Sequence, residues 1–267
     1  MPRANRFFLP GHVWHITHRC HQREFLFKFS RDRSTYLDWL FEARKRYGIC
    51  VLNYVVTSNH VHLLVRDKGD GGIAQSMQLI AGRTAQQYNT RKKRQGAFWQ
   101  DRYHATAIES GEHLHRCLVY VDLNMVRAGA VSHPAEWEHG GYREIQSPRN
   151  RNRIIDLAEL SRLCGFSELA AFQEEHRKWV DTALREGRIR QDETWTRSVA
   201  VGSENYIAGV KQALGLRASH REMATSGEGH LLREAYSPYV LEFDIENPAL
   251  RPENTLPWDE SHEFTTA

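Results

Sequence analysis

The sequence is poor in features that staple or anchor a chain. Its four cysteines, Cys20, Cys50, Cys117 and Cys164, stand apart with no C-x-x-C pair, so neither a zinc knuckle nor a disulfide framework is suggested. No apolar run approaches membrane-spanning length, and the opening MPRANRFFLPGHVWH lacks the apolar stretch of a secretory leader. The expectation is therefore a cytoplasmic, nucleoid-associated protein with no membrane partner. Internal repeats and long low-complexity stretches are also lacking. With 267 residues, 40% of them hydrophobic, the chain can bury a sizeable core as one large domain or two modest ones.

Acidic residues are scarce in one part only. Residues 1–153 hold 13 Asp+Glu against 24 Lys+Arg, and 11 of the 15 histidines, whereas residues 154–267 hold 20 against 12. A basic, histidine-rich body followed by an acidic remainder suggests a polyanionic partner, most simply nucleic acid. Charge asymmetry serving solubility alone is the competing explanation.

Periodicity divides the basic part into alternating elements. HVWHITHRC (12–20) alternates as a strand, and RDRSTYLDWLFEARKRYG (31–48) carries apolar residues at helical spacing up to Gly48. ICVLNYVV and HVHLLVRD are two strands joined by the short TSN, a hairpin. A second helix spans 71–94, ending in four consecutive cations, and YHATAIES (103–110) is a further strand. A third helix, 111–129, is expected to be capped by Ser110 and closed by Gly129. The order β-α-β-β-α-β plus a helix predicts an α+β, ferredoxin-like antiparallel sheet with helices on one face.

Two features of this layout bear on chemistry. His60 and His62 alternate with Val61, so both imidazoles share one strand face; they suit either a pair of half-exposed strand histidines or two ligands of one metal ion. On the third helix Leu114, Leu118, Val121 and Met125 form the core stripe. Tyr120 and Asn124 fall one turn apart on the other side, with Arg116 and Arg127 close by. A tyrosine there is ordinarily a surface residue, but this one shares its face with a metal-capable amide and two guanidinium groups.

NHVHLLV, GAFWQDRYHATAI and YVDLNMVRAGAV, in that order and spacing, resemble the HUH single-tyrosine transposase superfamily, and within it the REP-associated tyrosine transposases. The resemblance covers roughly residues 8–145 and implies a ferredoxin-like fold. It implies a divalent metal on His60 and His62, a nucleophile at Tyr120 and a completing ligand at Asn124. This branch usually has proline where the chain has Met125, so the helix is expected to run on further. The hairpin turn Thr57-Ser58-Asn59 replaces the more usual Met-Pro-Asn.

The activity implied is cleavage and transfer of single-stranded DNA at hairpins or palindromic repeats through a 5′-phosphotyrosine. Two imidazoles and an amide oxygen suit Mg2+ or Mn2+. Arg116 and Arg127 are candidates for phosphate contact. In TRKKRQGAFWQDRY the cations Arg91, Lys92, Lys93, Arg94 and Arg102 suit a DNA backbone, while Trp99 suits either base stacking or, with Phe98, the core. Arg3 and Arg6 extend this basic surface. His15 is expected near the sheet face, outside the metal sphere. The different-class reading is a non-catalytic binder of structured DNA or RNA, with His60 and His62 merely structural. The expected domains are a catalytic 1–150, a helical module 151–240 packed on it or extending its DNA surface, and a flexible acidic tail 241–267. Monomer and homodimer remain open.

Overall fold

Seven strands form one mixed sheet in the order β2-β3-β1-β4-β5-β7-β6. The computed structural model describes residues 9–148, 151–187, 193–227 and 229–234. Arg3, Arg6 and the tail 241–267 therefore lie outside the described residues. Strand β1 (Val13–Arg19) leads to helix α1 (Ser30–Tyr47), then to the hairpin of β2 (Cys50–Val56) and β3 (His60–Arg66). Helix α2 (Gly72–Lys92) and strand β4 (His104–Ile108) complete the β-α-β-β-α-β unit. β1 lies between β3 and β4, antiparallel to both, as a ferredoxin-like unit requires.

The register sorts side chains onto two chemically different faces. Thr17 pairs with His62 and Arg19 with His60; Thr17 also pairs with His104 and His15 with Thr106. Residues directly opposite share a face, so His15, Thr17, Arg19, His60, His62, His104 and Thr106 all project from one side. The other side carries Trp14, Ile16, Val61, Leu63 and Ala105, each buried, against which α1 and α2 pack.

The third helix departs from expectation. It begins at Glu112, after Gly111 rather than on a Ser110 cap, because Gly111 has a φ of 77° that suits glycine. Helix α3 (Glu112–Asp122) turns at Leu123 and resumes as α4 (Asn124–Arg127). The hydrogen bonds from Leu123 N to Val119 O and from Arg127 N to Leu123 O, both 2.9 Å, keep the two pieces in line. The stripe Leu114, Leu118, Val121 and Met125 is buried as expected. Helices do not keep to one face, however: α3 packs on the histidine side, opposite α1 and α2, because the imidazoles there need covering as much as the apolar face does.

The second part is more than helical. Helices α5 (Tyr142–Gln146), α6 (Leu157–Leu163), α7 (Leu169–Arg185), α8 (Thr194–Arg197) and α9 (Glu204–Leu214) are joined by strands β5 (Ala200–Gly202), β6 (Arg221–Ser226) and β7 (Gly229–Glu234). β5 pairs in parallel with β4, so the sheet runs straight across the boundary expected near residue 150. A three-residue, fully buried strand such as AVG has no periodicity to read in a sequence. Among the described residues no helix is long and apolar enough to cross a membrane.

Candidate active site

Tautomer and burial decide what the two strand histidines can offer. His15 Nδ1 lies 2.7 Å from the carbonyl of Trp195; a carbonyl only accepts, so Nδ1 carries the proton. Burial depresses His15 to about 4, leaving it neutral at pH 7 with its lone pair on Nε2. That lone pair faces His62 Nδ1 at 2.8 Å and so takes its hydrogen. Burial, reinforced by His60 and His15, holds His62 well below the usual histidine range; its free lone pair therefore sits on Nε2.

His60 reaches the same state through its own turn. Its Nδ1 lies 2.7 Å from Asn59 Oδ1, while the Thr57 hydroxyl is engaged with the His60 carbonyl at 2.9 Å. Burial, then Arg19 and Arg127, lowers His60 to about 4. Both imidazoles thus present an unprotonated Nε2, the form a metal ion requires. Their rings are 4.8 Å apart and nearly perpendicular.

The helix residues converge on the same spot. Asn124 Nδ2 is 3.1 Å from His62 Nε2, which puts the carboxamide at the free lone pair; a half-turn of the amide exchanges its nitrogen for its oxygen. The Tyr120 ring stands edge-on to His62 and His15, 6.0 Å from each, and 6.2 Å from Trp195. Arg127 places its guanidinium 4.1 Å from the centre of the Tyr120 ring and donates to the Tyr120 carbonyl at 2.6 Å. Tyr120 and Asn124 are both buried, not on a solvated helix face. Among the described residues no cluster of three His, Cys, Asp or Glu could hold a metal; the donor set is two imidazoles and an amide.

A buried polar bolt fixes the segment between them. Asp122 accepts from Asn53 Nδ2 at 2.9 Å and from His176 Nε2 at 2.8 Å, and Gln146 Nε2 donates to His176 Nδ1 at 2.9 Å. Asp122 lies midway between Tyr120 and Asn124, so β2, α5 and α7 together set where both point.

The basic candidates divide. Arg91 is paired with the buried Asp32, and Arg94 with Glu24 at 3.6 Å and the Ala97 carbonyl at 2.9 Å. Those two cations are tied into the fold, whereas Lys92 and Lys93 are exposed. Arg102 is exposed as well, but Arg116 pairs with Glu112 away from the site. Trp99 is a packing residue: it stacks on His18 at 3.8 Å and donates to the Ala81 carbonyl at 3.0 Å. Reading the sequence missed Arg19, the register partner of His60, whose position on the histidine face follows from simple alternation. It also missed the roles of His15, Asn59 and Trp195 in setting tautomers. The strand phase of His15 was legible; its distant carbonyl partner was not.

Comparison with known proteins bears on this site. Residues 10–124 match the family model described as Transposase IS200 like, a span that includes His60, His62 and Tyr120 and ends on Asn124. No curated protein matches the chain at a significant level. Among solved structures the chain is similar to a REP-associated tyrosine transposase bound to a REP hairpin, at 17% identity and a TM-score of 0.47, over 55% of this chain and 87% of that one. It is also similar to a candidate transposase from Deinococcus radiodurans R1, at 14% identity and a TM-score of 0.33, over 48% of this chain and 98% of that one.

Proposed function

From the match of residues 10–124 to the IS200-like transposase family, we propose that the chain is a transposase of this kind that cleaves and rejoins single-stranded DNA at hairpins, with Tyr120 as nucleophile. The observation that carries this reading is the meeting of Asn124 with His62, 62 positions away, beside the Tyr120 ring. A non-catalytic binder has no need of a nucleophile, two tautomer-locked imidazoles and an amide at one point.

The step balances without a further reactant. The Tyr120 phenolic oxygen bonds to the scissile phosphorus, the bond from phosphorus to the 3′ oxygen breaks, and the phenolic proton ends on the released 3′-hydroxyl. A 5′-phosphotyrosine retains the phosphodiester bond energy, so another 3′-hydroxyl can reverse the step on a new strand. Arg127 holds the Tyr120 backbone and sets a fixed positive charge over its ring, and Arg19, beside His60, offers a second cation for the phosphate.

His60 and His62 through Nε2, and Asn124 through its amide oxygen, would hold Mg2+ or Mn2+, which supplies Lewis-acid neutralisation of phosphate charge when bound. The donor chemistry fits, since burial keeps both imidazoles neutral at pH 7. DNA hairpins of the REP type are the substrate class this reading favours, with Lys92, Lys93 and Arg102 along the backbone.

Incubation with a labelled hairpin bearing single-stranded flanks and Mn2+ tests this. A covalent protein–DNA adduct is expected from the wild type and none from Tyr120→Phe. Alanine at His60 and His62 should abolish cleavage but leave salt-sensitive hairpin binding. Adduct formation by Tyr120→Phe at the wild-type level, or none by the wild type, sinks the catalytic reading in favour of a binder.

A further inference from the structure

Of the four large apolar side chains exposed among the described residues, two, Phe25 at 66% and Phe29 at 54%, belong to one short loop. The fold gives them nothing to pack into, although the loop itself is firmly held. Leu26 and Phe27, between them, are buried. The Phe27 ring packs on Tyr36, Phe98 and Trp99 at 5.8, 5.2 and 5.7 Å. Arg33 clamps the carbonyls of Phe27 and Lys28 at 2.7 and 3.0 Å. A buried anchor between two outward rings presents them without further ordering cost.

The charge nearest the Phe29 ring is positive. Lys92 Nζ lies 4.8 Å and Lys28 Nζ 6.0 Å from the centre of the Phe29 ring. The nearby acids Glu24 and Asp32 are taken by Arg94 and Arg91, so the lysines find no carboxylate among the described residues. The loop also adjoins the candidate site. Phe27 N donates to the Ser58 carbonyl at 2.9 Å and Asn59 Nδ2 to the Arg23 carbonyl at 3.2 Å, and the same Asn59 orients His60.

We infer that loop 24–29 is a stacking platform for unpaired nucleobases, in which Phe25 and Phe29 take base faces while Lys28 and Lys92 follow the phosphates. Rings alternating with cations suit a single strand, whose bases offer π-faces and whose backbone offers charge. A protein partner's apolar segment would meet two rings separated by a charged rim instead of a continuous patch. The inference rests on the DNA-processing reading above, which brings single strands to the neighbouring site.

Binding of a fluorescein-labelled single-stranded oligonucleotide, measured by anisotropy in EDTA so that no cleavage occurs, tests it on the full chain. Phe25→Ala with Phe29→Ala should weaken single-strand affinity about tenfold or more. Trp at both positions should restore it, Leu at both should not, and placing abasic sites in the strand should erase the difference between wild type and the alanine variant. Both rings are exposed, so circular dichroism should give the alanine variant a wild-type melting curve.

Wild-type affinity in the alanine variant, or full rescue by leucine, overturns the platform. A wild-type dimer that the alanine variant loses in sedimentation, with oligonucleotide affinity unchanged, reassigns the rings to a second copy and also overturns it. The adduct assay stands apart: an active wild type with unaffected F25A/F29A binding removes only the platform, whereas lost binding without any wild-type adduct removes only the catalytic reading.

Discussion

Replacing His15 by phenylalanine isolates the relay that fixes His62. A planar ring of somewhat larger size is kept, but His62 Nδ1 loses its acceptor at 2.8 Å and the Trp195 carbonyl loses its donor at 2.7 Å. A buried donor left unsatisfied costs roughly 1–3 kcal/mol. His62 can avoid that cost by moving its hydrogen to Nε2, where it faces Asn124 at 3.1 Å; this occupies the lone pair a metal needs. Either response draws on the same few kcal/mol, so Mn2+ affinity should fall by about 10–100-fold. Isothermal titration of the full chain with Mn2+ at pH 7.5 measures the loss, and proton–nitrogen correlation spectra of His62 show which nitrogen is protonated. His15→Gln, whose amide oxygen can still accept, should recover most of the affinity. If His15→Phe binds Mn2+ like the wild type, with His62 still protonated on Nδ1, the relay does not set the tautomer and the argument fails.

Two further outcomes follow from buried groups. His15, His18 and His60 are held at about 4 by burial, below the 6.5 of an unfolded chain. Their stabilising contribution is therefore complete above pH 6.5 and lost as pH falls toward 4, at up to about 1.4 kcal/mol per pH unit for each. Urea midpoints at pH 7, 6 and 5 should drop steadily, and a flat profile would contradict the burial of these rings. His176→Phe leaves Asp122 Oδ2 without its donor in a fully buried pair, at a cost of roughly 3 kcal/mol. It should lower the urea midpoint and, by releasing the turn at Leu123, reduce adduct formation; unchanged values for both would show that the bolt does not hold the helix.

What the sequence disclosed follows the range of its interactions. Alternation alone put His60 and His62 on one face, and helical phase alone put Tyr120 and Asn124 one turn apart; both relations span a few residues, where backbone geometry is fixed. The burial of Tyr120 was not legible, because α3 looks amphipathic until Trp195 and the histidine face are known to cover its other side. Arg91 looked free because its partner Asp32 sits on another helix. The same is true of Arg94, whose partner Glu24 is 70 positions earlier in the chain.

The acidic half of the chain, opaque as sequence, completes the site instead of standing beside it. Its strand β5 extends the sheet from β4, and the carbonyls of Trp195 and Ser198 take hydrogens from His15 and Thr106 at 2.7 Å each. His176, from α7, holds Asp122. A ferredoxin-like unit ending near residue 148 would therefore keep both histidines and the tyrosine but lack the acceptor that sorts the His15 tautomer and one of the two donors that hold Asp122. The carbonyl that sorts the His15 tautomer and one donor to Asp122 thus come from the part that carries none of the candidate ligands.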